Sequence, residues 1–258
     1  MKSESKMSVA ESLEADEELV QYMPYMLQDL WALGSSADQI VQIFESLTFP
    51  KNNNCVLDLA CGKGAVSVKL AKEFGYSITG VDAMPEFIDD ANRYAKSYHV
   101  ENLCKFIVDD ILIYTKKINS FHAVILASLG GIFGNNIQTI NTLRNQVARG
   151  GYIIIDDGYL KSKSSSNRKG YENYSNYRET KRELSSAGDK IIKEVSTTEF
   201  NKIINDEYLK NINKRCDELI NKHPDKRDSL LKYIDLQKEE CKYLEKELEG
   251  VIWVIQKK

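Results

Sequence analysis

The sequence predicts an α/β fold, a mostly parallel sheet with helices on both faces. Three observations carry that prediction. Between Cys55 and Asp157, short apolar runs alternate with amphipathic stretches of helical period, the pattern of successive βαβ units. The first run passes straight into a glycine-bearing turn, Val56-Leu57-Asp58-Leu59-Ala60-Cys61-Gly62-Lys63-Gly64, with an amphipathic stretch behind it. The second, Tyr76-Ser77-Ile78-Thr79-Gly80-Val81, closes on an acid, Asp82.

Residues 1–18 are polar and acidic and are expected to be loose. From Leu19 to Leu33 apolar and aromatic residues recur at helical spacing, interrupted by Pro24. Gly34 and the pair Ser35-Ser36 stop that helix and cap another, which runs to about Leu47. Pro50 and Asn52-Asn53-Asn54 turn the chain into a first strand, Cys55–Leu59, followed by a helix over Ala65–Phe74. The second strand, Ser77–Asp82, leads to a helix from Pro85 to Tyr98; a proline suits a first turn, where its missing N–H would have no partner. A third strand, Cys104–Val108, ends in Asp109-Asp110. A fourth, Phe121–Ala127, ends in the small-residue loop Ser128-Leu129-Gly130-Gly131. A helix over about Asn136–Ala148, a Gly150-Gly151 turn and a fifth strand, Tyr152–Asp156, follow.

The composition then changes. Residues 159–182 are rich in Ser, Lys, Arg and Tyr and read as a flexible connection entering a helix. A sixth strand is expected over Asp189–Val195. Two long amphipathic helices come next, one on Phe200, Ile203, Ile212, Cys216 and Leu219, the other on Leu230, Ile234, Cys241 and Leu244. His223-Pro224-Asp225 breaks the pattern between them, so they should form an antiparallel hairpin. Val251–Ile255 is a final strand. The expected division is an N-terminal helical cap over 1–50, a core over 51–198 and 250–258, and an inserted hairpin over 199–249 serving as substrate cap or oligomer contact. No repeat of solenoid period is present.

With 258 residues and 42% hydrophobic composition, the chain can build a sizeable core. A formal net charge of -3 gives no global attraction to nucleic acid or an anionic membrane. The five cysteines are dispersed without a C-x-x-C pair, as expected of reduced thiols rather than a disulfide frame or zinc site, and no metal is expected. No apolar leader precedes Glu18, and no run is long enough to span a bilayer, so a cytoplasmic location is expected.

Gly62 and Gly64 let the backbone pass close to a ligand, and the following helix offers free N–H groups at its positive end. Asp82 falls where a nucleotide ribose would lie if the first two strands are parallel neighbours. Aligned on Gly62 and Gly64, the dinucleotide fingerprint would need a glycine or alanine at Ser67, so it is incomplete. Asp58 inside the turn would repel a pyrophosphate and suits a cationic or amine-bearing ligand. The spacing Asp58-x-Ala60-x-Gly62-x-Gly64 resembles the first motif of the class I S-adenosylmethionine-dependent methyltransferases, especially the bacterial small-molecule type.

That resemblance covers about Asn54–Asp157. It implies a Rossmann-like seven-stranded sheet whose last strand is inserted antiparallel beside the fifth. It further implies S-adenosylmethionine as cofactor, with Asp58, Ala60, Cys61, Gly62 and Gly64 against its methionine portion. Asp82 would take the ribose hydroxyls, Ala83 and Met84 flank the adenine, Asp110 and Ile111 meet the adenine edge, and Ala127 lies near the methionine end. Asp109-Asp110 read equally as a helix cap. Where some subgroups carry Asn-Pro-Pro-Tyr after the fourth strand, this chain has Ala127-Ser128-Leu129-Gly130-Gly131, which argues against amide- and base-amine-modifying subgroups. His122 reads as structural.

No residue declares itself a general base; Asp157, Tyr22 and Tyr25 are the candidates. Tyr22, Tyr25 and Trp31 could also lie over a sulfonium, since aromatic faces attract cations, or simply pack a helix. The bases and tyrosines of 159–182 suit a lid over a small substrate better than a nucleic-acid surface, given the acidic balance. The expectation is a methyltransferase of a small molecule, with a homodimer left open. The alternatives are an RNA or protein methyltransferase using 159–182, and a non-catalytic S-adenosylmethionine-binding regulator.

Overall fold

The computed structural model describes residue 10 and residues 13–49, 54–162 and 165–258. Its strands are β1 (Cys55–Leu59), β2 (Ser77–Asp82), β3 (Cys104–Val108), β4 (Phe121–Ala127), β5 (Val147–Leu160), β6 (Lys190–Ser196) and β7 (Leu248–Gln256). They form one seven-stranded sheet in the order β3-β2-β1-β4-β5-β7-β6. β1 to β5 run parallel, and β7 lies antiparallel between β5 and β6. The strand order reverses at β1 and β4, which places a crevice above their carboxyl ends.

Alternation along β1 shows how the sheet is buried on both sides. Val56 joins a core with Ile78, Ile125, Ile154 and Val254 beneath the helices α2 (Ala37–Glu45), α3 (Ala65–Phe74) and α4 (Pro85–Ser97). Leu57 and Leu59 face the opposite core, with Val124, Ile153 and the fully buried Trp253. That face is covered by α5 (Ile111–Tyr114), α6 (Asn136–Arg144) and α7 (Tyr177–Leu184).

A separate apolar cluster lies over the carboxyl edge of the sheet. It joins Leu19, Met23, Met26 and Leu27 to Ile212, Cys216 and Leu219 of α8 (Thr198–Lys222) and to Leu230 and Ile234 of α9 (Arg227–Glu247). The N-terminal segment and the helical hairpin therefore share a core of their own. No helix among the described residues is long and apolar enough to cross a membrane.

Several expected elements differ from those observed. Leu19–Leu33 is not one helix: a 3-10 turn over Glu17–Tyr22 meets a one-turn helix, α1 (Met23–Met26), and irregular chain follows. Pro24 has no N–H to continue the preceding turn, and Lys63 Nζ captures the Leu27 carbonyl at 2.6 Å. Leu13–Glu18 is pinned rather than loose, with Glu14 on Arg168, Asp16 on Lys232, and Glu18 on Lys226. The helix expected to Ala148 ends at Arg144, because Lys257 Nζ takes the carbonyls of Arg144 and Val147 and starts β5 early. Within 159–182, Tyr171 and Tyr174 are buried with Leu160 and Leu248, so much of that segment is packed. Residues 1–9, Pro50, Asn52-Asn53 and Lys163 lie outside the described residues.

Candidate functional site

The glycine-bearing turn is held in a left-handed conformation, with φ of 52° at Ala60, 51° at Gly62 and 73° at Gly64. Its register is fixed from β2: Cys61 N donates to Val81 O at 3.0 Å, and Gly62 N donates to Asp82 Oδ2 at 2.9 Å. The two glycines do different work. A Cβ on Gly64 would sit 3.0 Å from both Ala91 and Phe106, so its bareness seats the turn on α4 and β3. A Cβ on Gly62 would meet Leu33 Cδ1 at 3.0 Å, on the side of the turn that Leu33 covers.

Asp82 accepts main-chain N–H groups at both oxygens, from Gly62 at Oδ2 and from Met84 at Oδ1, 2.9 Å each. Burial raises its carboxyl above the ordinary range, opposed by those backbone bonds. Asp58 is buried at the floor, and Ser67 Oγ donates to its Oδ2 at 2.6 Å. Burial pushes Asp58 up to about 7. Ser67, which reads in sequence only as a missing glycine, thus serves as the support of Asp58. Its place on the inner face of α3, in the first turn of the helix, was the available signal.

Asp109 N donates to Asp82 O at 3.0 Å, so the ends of β2 and β3 stay together. Asp110 caps α5, accepting from Leu112 N at 2.8 Å, and Ile111 packs into the core beside it. Met84 is buried with Phe87 in the cap cluster, while Ala83 is half-buried. His122 Nδ1 accepts from Cys55 N, a bond that ties β4 to the start of β1.

A strap formed by residues 27–36 lies across these strand ends. Trp31 Nε1 donates to Lys63 O at 3.1 Å, Ser128 Oγ donates to Gly34 O at 2.9 Å, and Ser36 N donates to Asp156 Oδ2 at 2.7 Å. Ser128 holds φ at 57°, an unfavourable angle for a residue with a Cβ, so the end of β4 is strained where it meets the strap. The Trp31 ring stacks on Tyr94 at 4.6 Å.

The strap separates two spaces. A narrow cleft of about 30 Å³ is lined by Trp31, Leu33, Asp58, Ala60, Cys61, Gly62, Val66 and Ala127. A cavity of about 1030 Å³ lies beyond Leu33 and Gly34, above β4 and β5 and under the helical hairpin. Five of the residues expected at a cofactor, Asp58, Ala60, Cys61, Gly62 and Ala127, share the cleft. Gly64, Asp82, Ala83, Met84, Asp110 and Ile111 lie outside both linings, although Asp82 is bonded to the turn itself.

Asp157 faces the large cavity, its Oδ1 accepting from Tyr174 Oη at 2.5 Å and from Gly158 N at 2.8 Å. Burial pushes Asp157 up to about 7 and Asp156 to about 6. The other two candidate bases are elsewhere. Tyr25 Oη donates to Glu218 on α8, and Tyr22 packs on His223 at 5.2 Å between ring centres. Both fix the N-terminal segment to the hairpin and line neither space.

A family model described as a methyltransferase domain matches residues 50–247. The chain belongs to that family. One curated relative is 28% identical over 102 residues: the 2-methyl-6-phytyl-1,4-hydroquinone methyltransferase of Synechocystis sp., with 40% of this chain and 31% of that one aligned. The norajmaline N-methyltransferase of Rauvolfia serpentina is 32% identical over 102 residues, 36% of this chain and 34% of the relative. The matched stretch is thus about a third of those relatives' length. Among solved structures, a methyltransferase from Thiobacillus denitrificans in complex with S-adenosylhomocysteine superposes with a TM-score of 0.76 at 16% identity, covering 92% of this chain and 98% of that one. At that identity the likeness is one of fold.

Proposed function

We propose that the protein transfers a methyl group from S-adenosylmethionine to a small-molecule acceptor. One observation carries the proposal: the turn and the β2 acid are joined by the Gly62–Asp82 hydrogen bond, at the point where the strand order reverses. A carboxylate has about four lone-pair sites, and Asp82 uses two, so it keeps capacity for a ribose diol. The bare Cα of Gly62 lets a ligand lie against the turn, and the buried acid Asp58 suits a cationic or amino group nearby. The residues present therefore fit the cofactor.

When bound, S-adenosylmethionine supplies an electrophilic methyl on sulfur. What the chain adds is placement, since orientation of two reactants replaces much of the barrier. In this proposal Asp82 holds the ribose, Asp110 and Ile111 the adenine edge, and Ala83 and Met84 its faces. Asp58, Ala60, Cys61, Gly62, Gly64 and Ala127 shape the methionine end. The cleft of about 30 Å³ is far smaller than an adenosyl group, so Leu33 and Trp31 must shift to admit it. The large cavity next to it takes the acceptor, and Asp157 is placed to receive a proton from it.

The curated relatives' names, a hydroquinone and an alkaloid methyltransferase, support a small-molecule acceptor. A cytoplasmic location belongs to the same proposal; the hairpin, which roofs the cavity, is assigned to the acceptor rather than to a homodimer. The test is transfer of tritiated methyl from S-adenosylmethionine into a cell extract separated by size. Label among small metabolites is expected. Label confined to RNA or protein, or no label, would contradict the proposal.

A further inference from the structure

Charge is unevenly distributed around the large cavity. Asp156 and Asp157 stand on β5, and Glu240 of α9 and Glu14 of the N-terminal segment line the same space from the cap. Arg168 answers one of these acids: its Nη2 donates to both carboxylate oxygens of Glu14 at 2.8 and 2.7 Å. Three lysines, Lys169, Lys202 and Lys232, also line the cavity with exposed side chains, and Lys169 acts on Glu14 together with Arg168. Lys202 pairs with Glu199 at 2.8 Å and Lys232 with Asp16 at 3.1 Å.

The inner acids are met only by neutral donors. Tyr174 Oη and Gly158 N donate to Asp157 Oδ1, and Tyr171 Oη donates to Glu240 Oε1 at 2.6 Å. Asp157 Oδ2 has no partner among the described residues. Burial raises the Tyr171 hydroxyl most, and Glu240, Glu14 and Asp157 push it further in the same direction, as three carboxylates acting on one space must. A neutral hydroxyl satisfies a lone pair and leaves the charge, so a cation in this space is favoured strongly where water is excluded.

A second observation is independent of charge. Gln237 is 2% exposed and lines the same cavity. Its Oε1 accepts from Tyr208 Oη at 2.7 Å, while its Nε2 has no partner among the described residues. A buried, unpaired amide donor costs about 1–3 kcal/mol unless something accepts from it. The same lining also carries apolar side chains, Leu129, Ile132, Leu236 and Leu244.

We propose that the cavity takes its acceptor as an amphipathic organic amine. The ammonium lies between Asp157 and Glu240, the apolar body lies along the leucine wall, and an oxygen of the ligand accepts from Gln237 Nε2. This rests on the methyltransferase proposal and names its substrate class: an alkyl- or aralkylamine, rather than the nucleobase amine that the loop after β4 disfavours.

The test is calorimetric titration of the full chain, loaded with S-adenosylhomocysteine and without it, using phenethylamine, phenethyl alcohol and phenylacetate. These share a body and differ in the charge of the end group. Phenethylamine is expected to bind about tenfold or more tighter than either isostere, and Asp157→Asn and Glu240→Gln each to weaken it about tenfold. No amine binding, or equal or tighter binding of the alcohol or the carboxylate, overturns the proposal. Because the wild-type series already decides it, a variant that fails to fold does not rescue it. Amine selectivity in a protein that does not bind S-adenosylhomocysteine would support the cavity assignment and count against the methyl-transfer assignment alone.

Discussion

The backbone N–H of Gly62 donates to the carboxylate of Asp82 across 2.9 Å, joining the turn after β1 to the end of β2. The bond makes one unit of two features twenty residues apart in sequence. It also sets two duties on one side chain, since the acid proposed to hold a ribose also fixes the loop beside it.

Asp82→Ala should therefore fail in two ways. The N–H groups of Gly62 and Met84 lose their acceptor, at about 1–3 kcal/mol for each buried donor left unpaired. Affinity for S-adenosylhomocysteine should also fall by about a hundredfold or more. Urea denaturation measures the first and calorimetry the second. Unchanged affinity in a folded variant would remove Asp82 from the ribose site.

Ala60 sits at φ 52° with a Cβ that glycine would lack. Left-handed backbone costs an L residue about 1–2 kcal/mol, partly offset by the greater unfolded-state freedom of glycine. Ala60→Gly should raise the stability by about 0.5–1 kcal/mol, seen as a higher urea midpoint at an unchanged m value. A lower midpoint would mean that the Ala60 methyl group packs usefully in the cleft.

The strap is open to fluorescence. Trp31 and Trp253 are the two tryptophans of the chain, and Trp253 is buried in the sheet core. In a Trp253→Phe protein, emission comes from Trp31 alone. Cofactor entry should displace Trp31 from its Lys63 and Tyr94 contacts, changing intensity and wavelength in a saturable way. No change at saturation would show that the strap stays in place.

Four carboxyls, three of them deeply buried and Glu14 partly so, give the stability a slope with pH. Asp58, Asp157 and Glu14 are raised to about 7 and Asp156 to about 6, each chiefly by burial. The unfolded chain ionises these groups near pH 4. The folded chain holds the extra protons in between, so their contribution is fully present below about pH 4 and is lost as pH rises through 6 to 7. Stability should rise between pH 8 and pH 6. Asp157→Asn, which has no charge to desolvate, should gain on the wild type at pH 8, and the gain should shrink by pH 6. Urea midpoints at both values check this; a gain independent of pH would contradict it.

Strand after strand was legible because β1 to β4 are apolar runs closed by glycine, proline or acid, and both cores read the period-two pattern directly. The ends of β5 were not, since pairing with β4 carries its start back to Val147 and pairing with β7 carries its end on to Leu160, rather than local preference. The N-terminal helix failed for a related reason. Its apolar positions serve a turn-rich strap whose polar groups are satisfied by Lys63, Ser128 and Asp156, far along the chain. The glycine turn announced itself through Asp58, Gly62 and Gly64. Ser67 and the Asp157–Tyr174 pair did not, because each depends on a partner that only the folded chain brings near.

The most direct measurement is a crystal structure with S-adenosylhomocysteine at saturating concentration. The account predicts its ribose hydroxyls on the Asp82 carboxylate, its adenosyl group over the Gly62 turn, and the strap displaced at Leu33. Density absent from the crevice, or a bound molecule whose ribose lies away from Asp82, would contradict it.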